Sequence, residues 1–326
     1  MAGKGVMSAR LHNTGLMIGS WLSIISGRSY YHQEQPLGRI FQPGDVLGYF
    51  NDLTGKTKWR GPVSERGVPL NRKVNGSLVF IPTTIAQKAL GHYDNWLLDG
   101  DSRDLDDFML LAGWLREHQD AAGGWPIWPV LGMSGPSLYS AMVQGEAISV
   151  AVRAHLHDPD QAWIKVAEDA ARLMLIPVME GGTARYTPEG LVLEEYPIKI
   201  QNTILNGWCF ALYGLYDLRL AKAGLHIDIE QALNDTLRAL SVYLPRYDAG
   251  YWSYYDTANN LAGPFYHKLH IAQLRAVEET FPGIEAVARF YRVKFERQWS
   301  RVINRFRAVV KKGLQKICHP PETIIR

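Results

Sequence analysis

The sequence predicts a mainly α-helical fold, an (α/α) barrel or helical toroid, with a small N-terminal β-hairpin region. From residue 82 onward, apolar residues recur at helical spacing in successive stripes. Short aromatic or glycine-rich loops separate the stripes, whereas the first 75 residues carry short β-prone runs interrupted by Gly, Pro and Asp. Because helix pairs joined by short loops can place one ring of helices inside another, we expect a cleft at one end of the barrel.

The predicted hairpin lies in the N-terminal region. The β-prone run Val46-Leu47-Gly48-Tyr49-Phe50 is followed by the turn-like segment Asn51-Asp52-Leu53-Thr54-Gly55-Lys56. This order predicts a hairpin that carries Tyr49 on one strand and Lys58 and Arg60 on the other.

The helices are predicted from apolar residues that share one face, such as Phe108, Leu111, Ala112 and Leu115 in the second helix. No strict repeat is visible, so the barrel is inferred from the pairing of helices and the loop spacing. The predicted helical ranges are 82–93, 105–118, 139–155, 161–175, 203–220, 229–243 and 268–281.

From Arg289 onward the pattern predicts one long basic helix, in which Arg and Lys alternate with apolar residues. We interpret it as a capping helix with a solvated basic face. Attraction to a polyanion or an acidic membrane surface is the alternative. The chain then divides into an N-terminal arm and hairpin region at 1–75, the barrel at 76–282 and the basic helix at 283–326.

The composition is that of an ordinary globular chain. Of 326 residues, 47% are hydrophobic and 21% charged, and a net charge of +3 is too small to indicate nucleic-acid binding. The two cysteines provide neither a disulfide framework nor metal-ligand spacing, and Cys209 is expected to be a buried thiol. No stretch is long enough to span a bilayer, and no cleavage site follows the apolar residues 16–25. We therefore expect a cytoplasmic protein, with export as the alternative.

The strongest candidate for a functional segment combines two carboxylates and a phenol just before an apolar helix. Glu194, Glu195 and Tyr196 precede Pro197, which keeps the chain extended, and Asn206 lies near the start of the helix. Catalytic groups are often held on loops by rigid elements. On the residues alone, the alternative is a helix entry with solvated glutamates and a packing tyrosine.

An ordered set of segments resembles the glucuronyl C5-epimerases that act on heparan-type polysaccharides. The resemblance covers roughly residues 45–280, and the order of the motifs makes it specific although each motif is weak. It is carried by Gly67-Val68-Pro69-Leu70, 85–93, Gly123-Gly124-Trp125-Pro126, 139–149, Glu194-Glu195-Tyr196-Pro197, Leu205-Asn206-Gly207, 213–218, Tyr255-Asp256 and 266–274.

The resemblance implies an (α/α) barrel preceded by β-structure, and reversible inversion at C5 of a D-glucuronate residue to give L-iduronate. It implies no redox cofactor. The familiar animal members carry a membrane anchor and a larger β-domain before the barrel. This chain has little room for either, so the resemblance implies a compact, microbial-type version.

Inversion at C5 needs a base on one face of the sugar, an acid on the other, and stabilisation of the charge that builds on the C6 carboxylate. By resemblance, Glu195 is the candidate base and Tyr266 the candidate acid. Tyr196 and Tyr255 would flank the reacting sugar as donors or alternative proton carriers. Glu194 is expected to be solvated or structural.

The candidate substrate-binding residues follow from the resemblance and from the predicted hairpin. Tyr49 would reach over the cleft, while Lys58 or Arg60 would bind the polyanion. His267 would polarise a phenol or bind the uronate, and Asn206 belongs first to the helix entry and second to the substrate. His270 follows His267 at a spacing that suits a metal, but no third ligand is apparent, so no metal site is predicted.

One position departs from the family pattern. The family has an arginine three residues after the tyrosine of the tyrosine–aspartate pair, where this chain has Ala258 after Tyr255. That cation would ordinarily face the substrate carboxylate. Either Lys268, Arg246 or a basic residue of the N-terminal region replaces it, or the substrate or the reaction differs from that of the family.

The sequence leaves two other functions open. A polysaccharide lyase would abstract the same C5 proton and then eliminate the C4 substituent, and a non-catalytic homologue would only bind the glycan. A uronate-containing polysaccharide is the expected partner in each case, without nucleic acid, metal or cofactor. Formation of a homodimer is a further guess.

Overall fold

The computed structural model describes residues 32–73, 75–221 and 228–318, and these are mainly helical, as predicted. Its two short sheets are antiparallel hairpins, β1 (Asn71–Arg72) with β2 (Leu78–Val79) and β3 (Ala184–Thr187) with β4 (Gly190–Leu193). The helices are α1 (Pro82–Asp99), α2 (Ser102–His118), α3 (Ala141–His157), α4 (Gln161–Leu175), α5 (Leu205–Leu220), α6 (Ile229–Tyr243), α7 (Pro264–Thr280), α8 (Glu285–Ser300) and α9 (Val302–Cys318).

The helices form an inner and an outer row, the arrangement of an (α/α) barrel. Helices α1, α3, α5 and α7 pack against one another in that order. On their outer side lie α2 against α1, α4 against α3, α6 against α5 and β4, and α8 against α7. The inner helices α3 and α5 are buried on nearly all sides, whereas α4 and α6 bury one apolar face. The burial pattern therefore matches the two rows.

Local signals explain where several helices begin and end. Pro82 starts α1, and Gly100 ends it in the left-handed conformation with φ of +76°. Asp160 caps α4 by accepting a hydrogen bond from the backbone N–H of Ala162 at 2.9 Å, and Asp228 caps α6 in the same way through Gln231. The observed ranges lie within a few residues of the predicted ones, except that α1 runs six residues further.

The two central inner helices approach closely because glycines face each other. A Cβ atom on Gly214 of α5 would lie 2.3 Å from the carbonyl oxygen of Gly145 in α3. Further along, Arg153 of α3 and Asp217 of α5 form a fully buried ion pair at 2.6 Å. The guanidinium also donates to the carbonyl oxygen of Leu47 at 3.1 Å, which ties the N-terminal segment to the inner row.

The structure corrects the predicted N-terminal hairpin. Residues Thr54–Thr57 form a 3-10 helix instead of a turn between strands, because Asp52 accepts a hydrogen bond from the backbone N–H of Thr54 at 2.9 Å. The hairpin of this region is β1–β2, further along the chain. Tyr49 is fully buried, and its ring lies parallel to that of Phe210, so its expected position over the cleft is wrong.

The predicted long basic helix is also wrong in its continuity. It is two helices, α8 and α9, because the backbone becomes extended at Arg301.

The hairpin β3–β4 was not predicted, although it positions the candidate base described below. Cys209 is buried, as predicted. No helix among the described residues combines the length and apolar character that a bilayer crossing requires.

Candidate active site

A cavity of about 140 Å³ lies at one end of the inner helix row. Residues from the first turns of all four inner helices line it: Thr83 of α1, Met142 of α3, Asn206 of α5 and Tyr266 of α7. The N-terminal ends of these helices therefore surround the cavity. Since a helix N-terminus carries partial positive charge, the helix row favours an anionic group in this space.

Glu195 lines this cavity from the segment that follows β4. The preceding residue, Glu194, is fully buried, and its carboxylate pairs with Arg185 at 2.8 Å and accepts a hydrogen bond from Thr203. Glu194 is therefore structural, one of the two roles predicted for it. Its backbone is held on both sides by hydrogen bonds with Thr183 and Ala141. This anchoring fixes the position of Glu195.

The Glu195 carboxylate rests against the first turn of α5. Asn206 donates a hydrogen bond to Oε2 at 3.2 Å, and the Tyr255 hydroxyl donates to Oε1 at 3.4 Å. Burial raises the pKa of the Glu195 carboxyl to about 7, and the hydrogen bonds from Tyr255 and Asn206 only partly oppose this effect. Near neutral pH, Glu195 is therefore present in both protonation states, as a general base requires.

Two candidate tyrosines lie together beside Glu195. The Tyr255 and Tyr266 rings are 4.8 Å apart between centroids and meet edge to face. Tyr266 lines the cavity directly, and Tyr255 contacts the carboxylate through its hydroxyl group. Tyr196 instead packs on Trp128, a wall of the cavity, with 4.3 Å between ring centroids.

Lys56, which was not predicted as a site residue, is a cation that lines the cavity. Its side chain is buried, and burial lowers the pKa of its amino group to about 8, a shift that Glu146 opposes when it is ionised. Glu146 is fully buried in α3 and accepts a hydrogen bond from Gln87 at 2.7 Å. Burial raises the pKa of Glu146 to about 8, so it is mostly uncharged at neutral pH.

Charge interactions join these three groups. Both Lys56 and Glu195 act electrostatically on Glu146, and Lys56 favours its ionised form whereas Glu195 disfavours it. The site therefore combines a carboxyl that titrates near neutrality, a buried ammonium group and a carboxyl that is mostly neutral. The sequence signal for Glu146 is a single carboxylate within a largely apolar helix, whereas Lys56 lies in the polar segment Thr54–Thr57 and its burial depends on the fold.

The two basic residues selected from the sequence, Lys58 and Arg60, lie outside the cavity. Both are exposed on the segment after the 3-10 helix. Lys268 is partly exposed and pairs with Glu34, and it lines a neighbouring cavity of about 400 Å³. The structure therefore does not bring these three cations to Glu195.

The prediction that His267 polarises a cavity tyrosine or binds the uronate is wrong. It is fully buried, and its ring stacks on Trp252 with 3.7 Å between centroids. Its nitrogens lie at hydrogen-bond distance from Ser253 Oγ (2.8 Å) and from the Phe295 carbonyl oxygen (3.1 Å). Burial lowers the pKa of His267 to about 3, so its ring is neutral. The residue anchors the first turn of α7 to the core.

Ala258 lies in a loop that the Asp256 carboxylate organises. The backbone N–H of Ala258 donates to Asn202 Oδ1 at 2.9 Å and to Asp256 Oδ1 at 3.1 Å. Asn260 also donates to Asp256, and Asn259 adopts a left-handed backbone with φ of +64°.

Within 32–73, 75–221 and 228–318, no three His, Cys, Asp or Glu side chains form a group that could hold a metal.

Comparison with protein families matches residues 119–297 to a family described as D-glucuronyl C5-epimerase C-terminus. A D-glucuronyl C5-epimerase of Caenorhabditis elegans is 33% identical over 194 residues, which are 52% of this chain and 31% of that protein. An uncharacterized protein of Methanocaldococcus jannaschii is 27% identical over 138 residues, 41% of this chain and 44% of that protein. The matches thus span less than half the length of either relative.

Among solved structures, a UGL variant with dGlcA-Glc-Rha-Glc superposes with a TM-score of 0.45 at 14% identity, covering 85% of this chain and 82% of that chain. The family match includes Glu195, Tyr255 and Tyr266, whereas Lys56 and Gln87 lie before it.

Proposed function

Because the chain belongs to the D-glucuronyl C5-epimerase family, we propose that it is an isomerase that inverts C5 of uronate residues in a polysaccharide. The observation that carries this proposal is the Glu195 carboxyl, which has a pKa raised to about 7 and lies in a cavity with Tyr266. A base of this kind is suited to removing a carbon-bound proton near neutral pH.

In the proposed reaction, Glu195 takes the C5 proton from one face of a D-glucuronate residue. The electron pair left at C5 delocalises into the C6 carboxylate, where negative charge builds up. Tyr266 then delivers its phenolic proton to C5 from the opposite face, which gives L-iduronate. Inversion leaves Glu195 protonated and Tyr266 ionised, so Glu195 then loses its proton to solvent through Tyr255 and Tyr266 regains a proton from solvent. The reverse reaction exchanges the two roles.

We assign the stabilisation of the C6 charge to Lys56. It is buried beside the cavity, so its ammonium group acts in a low-dielectric space, where a charge interaction is stronger than in water. The N-terminal ends of the inner helices add to this field. Lys56, a basic residue of the N-terminal region, would then replace the arginine that the family has at the position of Ala258.

The substrate is proposed to be a heparosan-like chain. A polymer needs space on both sides of the reacting sugar, and the cavity of about 400 Å³ adjoins the Glu195 cavity, with which it shares Gln35 and Phe265 as wall residues. Trp299 in that second cavity offers an aromatic surface for a neighbouring sugar ring. The homodimer stays a prediction.

The test is product analysis on heparosan, on its N-sulfated form and on chondroitin. The proposal predicts iduronate signals in the NMR spectrum and no unsaturated uronate, which absorbs in the ultraviolet. Chain cleavage with an unsaturated product would identify a lyase. Binding without any change at C5 would identify a non-catalytic glycan-binding homologue.

A further inference from the structure

Helix α9 presents a stripe of large apolar side chains to solvent. The side chains of Ile303, Val302 and Phe306 are 69%, 68% and 67% exposed, and two residues continue the stripe one and two turns later. Their spacing puts all five on one helix face. The exposed stripe consists of Val302, Ile303, Phe306, Val310 and Leu314.

The opposite face of α9 is small and polar, and it is the face that packs on the protein. Asn304 is buried and donates to the Gln298 carbonyl oxygen at 3.2 Å. Ala308 is buried beside Trp252, and Gln315 accepts a hydrogen bond from the backbone N–H of Leu261 at 3.1 Å. A surface helix ordinarily buries its apolar face, whereas α9 packs its small polar face on the protein and exposes its apolar face.

Exposed basic side chains border one edge of the stripe. The helix contains no acidic residue, and Arg307 and Lys311 are exposed beside one edge of the stripe. Lys312 and Lys316 lie towards the packed face, where burial lowers the pKa of both amino groups. The Arg307 guanidinium lies 3.9 Å from the Tyr251 ring centroid, a cation–π contact that holds this cation beside the helix. The cations of α9 are Arg305, Arg307, Lys311, Lys312 and Lys316.

An anionic lipid surface accounts for both properties of α9. A second copy of the chain would cover the stripe but would bring two rows of cations together with no acidic residue of α9 between them. A soluble polyanion would neutralise the cations but leave the apolar side chains in water. We propose that α9 docks the protein on an anionic lipid surface, with the stripe in the boundary between headgroups and acyl chains.

Co-sedimentation with vesicles tests this proposal. The full chain is mixed with vesicles of phosphatidylcholine alone or of equal parts phosphatidylcholine and phosphatidylglycerol. We expect binding to the phosphatidylglycerol vesicles that weakens as salt is added. The double substitution Ile303→Ser with Phe306→Ser should weaken this binding roughly tenfold or more, since it removes two apolar anchors.

The matched control is Ile200→Ser with Met179→Ser, which removes two equally exposed apolar side chains away from α9, at 83% and 65% exposure. This control should bind like the unaltered protein. Equal binding to both vesicle types, or equal binding by the stripe variant and the control, would overturn the proposal. So would a dimer in sedimentation velocity that the stripe variant loses while neither protein binds vesicles.

Discussion

Gly207 and Glu195 are in direct contact, so that a Cβ atom on Gly207 would lie 2.2 Å from Oε2 and 2.5 Å from Cβ of Glu195. Only a glycine allows the carboxylate to rest on the first turn of α5, where Asn206 donates a hydrogen bond to it. The position of the candidate base Glu195 therefore depends on residue 207 being a glycine, which has no side chain.

The substitution Gly207→Ala is expected to displace the Glu195 carboxylate and lower kcat roughly hundredfold, since a shift of about 1 Å can cost that much. Steady-state kinetics on the uronate polymer would measure it. Gly113→Ala is the control, because a Cβ atom there meets nothing within 4 Å, and it should leave kcat unchanged. Unchanged kcat in Gly207→Ala would show that the carboxylate position is not critical.

The pH profile of kcat/KM should be a narrow bell. Glu195 must be ionised to accept the proton, so the rate rises with pH through about 7. Lys56 must be protonated to stabilise the C6 charge, so the rate falls as pH rises through about 8. Because an arginine stays charged in this range, Lys56→Arg should move the falling limb to higher pH. An unmoved falling limb would assign it to another group.

Removal of the cavity cation should affect catalysis far more than removal of the exposed cations. We expect Lys56→Gln to lower kcat roughly hundredfold to thousandfold, the usual effect of losing one group that stabilises developing charge. Lys58→Gln and Arg60→Gln change exposed side chains outside the cavity and should mainly alter KM, with a weaker salt dependence. If the exposed residues proved the more important for kcat, Lys56 would lose its assigned role.

Loss of one partner of the buried pair Arg153–Asp217 should destabilise the inner row. Asp217→Asn leaves the Arg153 charge buried without its partner, which we expect to lower the free energy of unfolding by about 3–5 kcal/mol. Denaturant unfolding followed by circular dichroism would measure this change. Glu117→Gln, which breaks the exposed pair with Arg66, should hardly move the unfolding midpoint. Equal effects in the two variants would contradict the argument.

The helices could be predicted because each buries a regular apolar stripe. Glu195, Tyr255 and Tyr266 were proposed from the ordered motifs of the resemblance, and their catalytic roles stay a prediction. The errors arose where contacts distant in sequence decide. Asn51-Asp52-Leu53-Thr54-Gly55-Lys56 reads as a hairpin turn, but the Asp52 hydrogen bond to Thr54 and packing against α1 make part of it a 3-10 helix. Lys56 is buried for that reason, whereas Lys58 and Arg60 remain outside.

His267 shows a second limit of reading motifs from sequence. It follows Tyr266 directly, but neighbouring residues on a helix point about 100° apart. Tyr266 therefore faces the cavity, whereas His267 faces Trp252 and Phe295. A motif that is continuous in sequence is thus divided between the site and the core.

Exchange of the C5 hydrogen with solvent tests the central claim, that Glu195 removes this proton, most directly. Heparosan would be incubated in deuterated water with the unaltered protein or with Glu195→Gln, which keeps the size of the side chain and can still accept a hydrogen bond from Asn206 or from Tyr255 through its one amide oxygen. We predict deuterium at C5 with the unaltered protein and exchange slower by roughly a thousandfold or more in the variant, at similar glycan affinity and circular dichroism. Exchange at the same rate in both proteins would contradict the claim.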